Sequence, residues 1–159
     1  MTTALIAIGS NLGDRSANIE RSLFALDALP GIELVCTSTV IETDPVGPPE
    51  QGPYLNAAAE LRTTLHPFQL LECMLGVEHW LGRDRSRELR WGPRTIDLDL
   101  LAHGDAVLNT PELTLPHPRL HEREFVLRPL AEIAPDAVIP GLNATPSQLL
   151  ADLRAGAGG

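Results

Sequence analysis

The chain contains no lysine: all twelve Lys/Arg positions among its 159 residues are arginine. That absence excludes the common phosphate-loop NTPase mechanism, whose glycine-rich loop needs a lysine on the nucleotide phosphates. Aromatic residues are scarce at 4%, too few for an RNA-binding sheet that stacks bases on exposed rings. Cationic surface is short as well, since the formal net charge is -9; non-specific binding to nucleic acid or to an anionic membrane is therefore not expected. No apolar run approaches the roughly 20 residues a membrane-spanning helix needs. Only Cys36 and Cys73 carry thiols, far apart in sequence, and no basic leader with a small-residue cleavage site opens the chain. The expectation is a reduced, cytoplasmic protein whose cysteines are small apolar filler.

What is present suits one domain over residues 1–159, with a frayed tail from about 154, because 43% hydrophobic content at this length can bury a real core. "TALIAIGS" is a short buried strand ended by glycine. Asp14 can cap a helix in which Ile19, Leu23, Leu26 and Leu29 recur at helical spacing, and Pro30-Gly31 stops it. "IELVCTSTVIET" predicts a strand, "DPVGPPEQGP" a loop, and "YLNAAAELRTT" the next strand. Pro67 opens a second helix through Leu70, Leu71, Met74, Val77 and Leu81, closed by Gly82. "TIDLDLLAHG" is a fourth strand and "GDAVLN" a short hairpin return. After them comes a proline-punctuated stretch, part extended and part helical, and a last helix begins at Thr145-Pro146. The order β-α-β-β-α-β predicts an α+β fold of ferredoxin-like type, an antiparallel-rich sheet with helices packed on it.

Two segments carry chemistry. On a strand Asp97 and Asp99 share one face while Ile96, Leu98 and Leu100 take the other. Such a pair can share a proton, pair with arginines or bind a divalent cation, Mg²⁺ being suited to hard oxygen donors; equally, it can be an outward polar face. Just before it, "GRDRSRELRWGPR" concentrates Arg83, Arg85, Arg87, Arg90 and Arg94, with no helical stripe. A basic loop of this kind can close over bound phosphates, or be a solvated loop whose Asp84 and Glu88 are internal partners. The proline-glycine loop at 44–53 has the composition of a mobile cover over a site. Tyr54 and Asn56, alternate residues after it, offer a flat face and a donor-acceptor pair suited to a heteroaromatic ring, though ordinary sheet packing explains them as well. Trp91 can be an anchor or a lid, Phe125 a core residue in "FVL", and His117 a phosphate contact or the end of an extended segment. "GSNLG" resembles a phosphate-binding turn only weakly, lacking that motif's spacing and lysine.

Taken in order, "IAIGSNLGDR", "GPYLNAA", "RWGPRTIDLDLL" and "LPHPRLHEREFVLRPLAEIAP" resemble the 6-hydroxymethyl-7,8-dihydropterin pyrophosphokinase family over nearly the whole chain. The third segment is the most specific, since it joins a basic loop, a Gly-Pro-Arg corner and the paired aspartates at one spacing. The resemblance implies transfer of pyrophosphate from ATP to a reduced pterin alcohol; separately, the acidic balance sets nucleic acid and membrane aside, and since no long apolar surface pattern demands a partner a monomer is expected. It implies that Asp97 and Asp99 hold two Mg²⁺ ions and that Arg83 and Arg94 act in catalysis. Arg83, Arg85 and Arg94 would engage the triphosphate, with Thr114 and His117 where ATP is contacted and Glu78, Trp91 and Arg123 also near ligand. Tyr54 and Phe125 would sandwich the pterin, and Asn56 would recognise its edge with backbone groups near Thr43 and Val46. Two positions depart from the family pattern: Asp44 stands where an apolar or proline residue is common, and Leu75 where a glutamine often contacts nucleotide. A ferredoxin-like module that binds a small molecule without chemistry is the rival reading; paired acids beside an arginine loop count against it.

Overall fold

The computed structural model describes residues 1–44, 52–83 and 95–158. Val46, Arg85, Arg87, Arg90, Trp91 and Arg94, and with them most of both expected loops, lie outside the described residues.

Strand β1 (Thr2–Ser10) lies in the middle of the main sheet, hydrogen-bonded to β4 (Tyr54–Thr63) on one side and β5 (Asp97–His103) on the other. Its apolar run is buried without interruption from Ala4 to Ile8 because both faces are covered. Beyond β4 lies β2 (Ile32–Thr37), giving the order β2-β4-β1-β5 with every pairing antiparallel. Each helix crossover therefore steps over one strand, as the ferredoxin-like expectation requires.

The expected strand over 32–43 is two strands. Ser38 and Thr39 interrupt it, because their polar groups bond elsewhere: Ser38 Oγ accepts from Ala58 N at 2.9 Å, while Thr39 N and Oγ1 donate to the Glu132 carboxylate at 3.0 and 2.8 Å. The chain then resumes as β3 (Ile41–Thr43), which also pairs with β4. Those two bonds hold Glu132 in its charged form, its carboxyl lying below the ordinary range.

Helix α1 (Arg15–Ala28) starts where Asp14 accepts a hydrogen bond from Ala17 N, and α2 (Pro67–Trp80) starts at His66, whose N–H donates to Gln69 Oε1. Gly31, after α1, has φ of 82°, and a Cβ there would sit 2.8 Å from Thr64 Oγ1. Ile19 and Leu26 of α1 and Leu70, Met74 and Val77 of α2 pack with Ile6, Leu61, Leu98 and Leu100 on one face of the sheet. The opposite face is covered by α3 (Glu124–Ile133) and α4 (Pro146–Gly158), with Leu127 and Leu130 of α3 against Leu5, Ala7 and Leu101.

The proline-punctuated stretch supplies β6 (Leu108–Asn109), β7 (Thr114–Leu115) and a 3-10 turn at Leu120–Glu122. The expected hairpin return of "GDAVLN" does form a strand, but β6 pairs with β7 rather than with the main sheet. Thr145 caps α4, accepting from Gln148 N, and the segment from 154, expected as a frayed tail, is helical to Gly158. Among the described residues no helix is long and apolar enough to cross a membrane.

In β5 the pairing with β1 shifts between Leu5/Ala102 and Ile6/Leu100, leaving Leu101 as the extra residue of a bulge. Leu98 and Leu100 therefore join the α1/α2 layer, while Asp97, Asp99 and Leu101 take the α3/α4 side.

Candidate active site

The register assembles the site as rows across the sheet. Ile41, Asn56, Gly9 and Asp97 are successive cross-strand partners on β3, β4, β1 and β5, and the next row places Ala58, Ala7 and Asp99 together. Two residues apart on their strands, Tyr54 and Asn56, and likewise Asp97 and Asp99, share the face that α3 covers. Strand period thus brings the ring, the amide and both carboxylates to one end of one face.

Gly9 was not expected in the site. Its backbone is ordinary strand, but a Cβ there would lie 3.1 Å from Asn56 Oδ1 and 3.4 Å from the Tyr54 ring. The missing side chain lets Asn56 lie across β1, and a glycine inside a strand is itself a sequence signal of close approach. Asn56 is 7% exposed and donates through Nδ2 to Thr43 Oγ1 at 2.6 Å, so Thr43 and Asn56 form one polar unit beside Tyr54.

At the other end of the row Arg83 is almost fully buried. Its Nη1 donates to Glu78 Oε2 at 2.6 Å, to Asp97 Oδ1 at 3.0 Å and to Ile96 O at 3.2 Å. Glu78, also buried, accepts from the backbone N–H of Leu98 at 2.8 Å. Here β5 is the edge of the sheet, and an edge N–H left without a partner would cost stability. Glu78 and Arg83 were expected near ATP; in the described structure these bonds tie α2, the chain after it and β5 to one another. Asp97 keeps 20% side-chain exposure, turned toward the site.

His117 follows the cis Leu115–Pro116 bond and its N–H donates to Leu101 O at 2.9 Å, which seats it alongside β5. Thr114 is on β7, next to β5. Burial first, then the positive charges of Arg123 and Arg119 against the opposing pull of Asp97, push the His117 imidazole down to about 4. His117 Nδ1 accepts from Arg119 N at 3.2 Å, so the neutral ring carries its proton on Nε2. Phe125, in the first turn of α3 and half-buried, has the Arg123 guanidinium 5.6 Å from its ring centre. Of the two departures, Asp44 is exposed and Leu75 is 39% exposed on α2.

An α+β fold with a paired-carboxylate and arginine site at one end of its sheet belongs with enzymes that act on phosphorylated ligands. Residues 5–135 match the model of the 7,8-dihydro-6-hydroxymethylpterin-pyrophosphokinase family, and the chain belongs to that family, the pyrophosphokinases of folate biosynthesis. It is 47% identical over 130 residues to the 2-amino-4-hydroxy-6-hydroxymethyldihydropteridine pyrophosphokinase of Bacillus subtilis, covering 82% of this chain and 77% of that one. The enzyme of the same name from Haemophilus influenzae is 42% identical over 153 residues, covering 96% and 91%. Among solved structures, the Plasmodium falciparum HPPK-DHPS with pterin and p-hydroxybenzoate aligns with a TM-score of 0.74 at 15% identity, over 95% of this chain and 41% of that one. The same protein with pteroate gives 0.73 at 14% identity, over 95% and 42%. The chain spans less than half the length of those structures, and at such identity the likeness carries the fold alone.

Two measurements check this geometry. Glu78→Ala takes from the buried Arg83 guanidinium its partner at 2.6 Å, leaving Asp97 to answer the charge, and from an edge N–H its acceptor, and denaturant unfolding should show a loss of about 3 kcal/mol; Glu78→Gln, which still accepts from both, should lose clearly less. Equal losses in the two variants would contradict the pairing. For His117, the folded value lies below the ordinary 6.5, so the unfolded chain takes up the proton first. Its contribution to stability is complete above about pH 6.5 and is lost as pH falls toward 4. NMR of the ring in the metal-free protein should place its titration near pH 4, and a midpoint near 6.5 would contradict the assignment.

Proposed function

We infer that the chain, a single domain acting as a monomer in the cytoplasm, transfers the β,γ-pyrophosphate of ATP to the hydroxymethyl oxygen of 6-hydroxymethyl-7,8-dihydropterin. The observation that supports this reading is the row Asn56–Gly9–Asp97, in which an amide and a carboxylate share one face with a single strand between them and Asp99 stands in the next row. In this reading Tyr54 and Phe125 hold the faces of the pterin, while Asn56, fixed by Thr43, and backbone near Val46 take its edge. The neutral amide suits a heterocycle that presents both donors and acceptors.

Asp97 and Asp99 fit Mg²⁺. They are hard oxygen donors two residues apart on one face of β5. That is the donor set of a cation that keeps water and substrate phosphates as its other ligands. Asp97 and Asp99 would hold two such ions, which supply charge neutralisation and polarisation of the phosphate oxygens when bound.

The protein's own groups do the rest. The pterin hydroxyl oxygen attacks the β-phosphorus and its proton passes to solvent, the bond to the α,β-bridging oxygen breaks and AMP leaves with that oxygen; no covalent enzyme intermediate is needed. Arg83, buried behind Asp97, holds that carboxylate in place. The Nε2–H of neutral His117 is a donor to a phosphate oxygen, and Arg123 adds charge beside it, stabilising charge as it moves to the leaving group. Arg85, Arg94 and Trp91, with Thr114 and Glu78, complete the ATP side in this reading.

The test mixes the protein with ATP, MgCl₂ and the pterin alcohol and follows the nucleotide product. AMP should appear in step with the pterin diphosphate; ADP as the sole product would defeat the pyrophosphokinase reading, and saturable pterin binding with no AMP would revive the binding module. Asp97→Ala and Asp99→Ala should each fold and lose about 100-fold or more in turnover. Near-normal rates in both would sink the metal assignment.

A further inference from the structure

The turn after β1, with α1's first residues ("GSNLGDRSAN", 9–18), buries three polar side chains, Ser10, Asn11 and Asn18. All of them bond inward. Ser10 Oγ donates to Thr95 O, and Asn18 Nδ2 donates to Leu12 O at 3.0 Å and to the same Thr95 O at 3.3 Å. Asn11 Nδ2 donates to Gly52 O at 3.2 Å. Arg15, the first residue of α1, donates through Nη1 to Pro53 O at 2.9 Å and through Nη2 to Glu42 Oε2 at 3.1 Å.

These acceptors are not scattered. Gly52 and Pro53 lead directly into Tyr54, and Thr95 stands two residues before Asp97. A glycine-containing turn that resembles a phosphate cradle thus turns its donors onto backbone carbonyls at the mouths of β4 and β5. Of these residues, Arg15 is the one that bonds both β3 and the residue that leads into β4. Strand β3 has only three residues to hold it on β4, and Arg15 joins the two strands at their open end, where Thr43 pairs with Tyr54.

We propose that Arg15 is a positioning residue for pterin recognition: by bridging Glu42 and Pro53 it fixes the spacing of the strand ends that carry Thr43 and Tyr54. This rests on the reading that the pterin binds at Tyr54 and Asn56. Arg15 touches neither substrate in that reading, so its removal acts on one half of the site. The charge-assisted bond to Pro53 O and the partly exposed ion pair to Glu42, whose side chains are 30% and 57% exposed, set the scale of the effect.

The experiment compares wild type, Arg15→Ala, Arg15→Lys and Glu42→Ala by equilibrium fluorescence of 6-hydroxymethylpterin, KM for each substrate, and thermal melting. Arg15→Ala should weaken pterin binding and raise pterin KM about tenfold, with ATP KM changed less than about twofold. Arg15→Lys should recover part of the loss, since one ammonium can reach one of the two acceptors. Glu42→Ala should shift the same parameter in the same direction, which keeps the test open if Arg15→Ala melts early. Pterin binding unchanged in the Arg15 and Glu42 variants, or pterin and ATP parameters shifting equally, would overturn the proposal while leaving the site reading intact. Wild type that shows no saturable pterin binding would instead overturn the site reading, and the proposal with it.

Discussion

A guanidinium removed from water must be answered by anionic partners, and the architecture around β5 follows from how Arg83 is answered. Glu78 comes from the layer of α1 and α2, whereas Asp97 points to the layer of α3 and α4. The ion pair therefore passes around the open edge of the sheet and joins its two sides. The same carboxylate satisfies an N–H of the edge strand, so the edge is closed by a charge instead of by another strand. A site built at a sheet edge gains access for large ligands, and here the edge is tied to α2 where Asp97 stands.

The central strand contributes differently. β1 brings no charged group to the rows that form the site, yet Gly9 sits between Asn56 and Asp97. Its lack of a side chain makes the floor of the site low enough for groups on neighbouring strands to meet above it. Ser10, the last residue of the strand, and Asn11, the first beyond it, fasten other segments with their side chains. Strand, floor and fastening thus come from three consecutive residues, Gly9 to Asn11.

Much of this was legible beforehand because period is local information. Alternation alone placed Asp97 and Asp99 on one face, helical spacing found α1 and α2, and Thr145-Pro146 marked the start of α4. The break at Ser38 and Thr39 was not legible, since it depends on Glu132, which lies 93 residues further on. Arg83 looked like one more member of a basic loop, and only three-dimensional proximity to Glu78 and Asp97 gives it another occupation. No spacing rule could name a pterin; that came from the family's motifs, and the match over residues 5–135 agrees with it.

The bulge at Leu101 sets the phase of β5 twice. Ahead of it the odd-numbered positions, Asp97 and Asp99, face α3; behind it His103 returns to the other layer and bonds Leu65 O at 2.8 Å. Deleting Leu101 would leave both halves of the strand facing as they do, with Leu100 still opposite Ile6 and Ala102 opposite Leu5, but it would take a buried side chain from the α3 layer and, from His117, the carbonyl that its N–H bonds. The extra residue is kept for what it carries, a side chain into one layer and a carbonyl toward His117, so descent can vary its shape more readily than dispense with it.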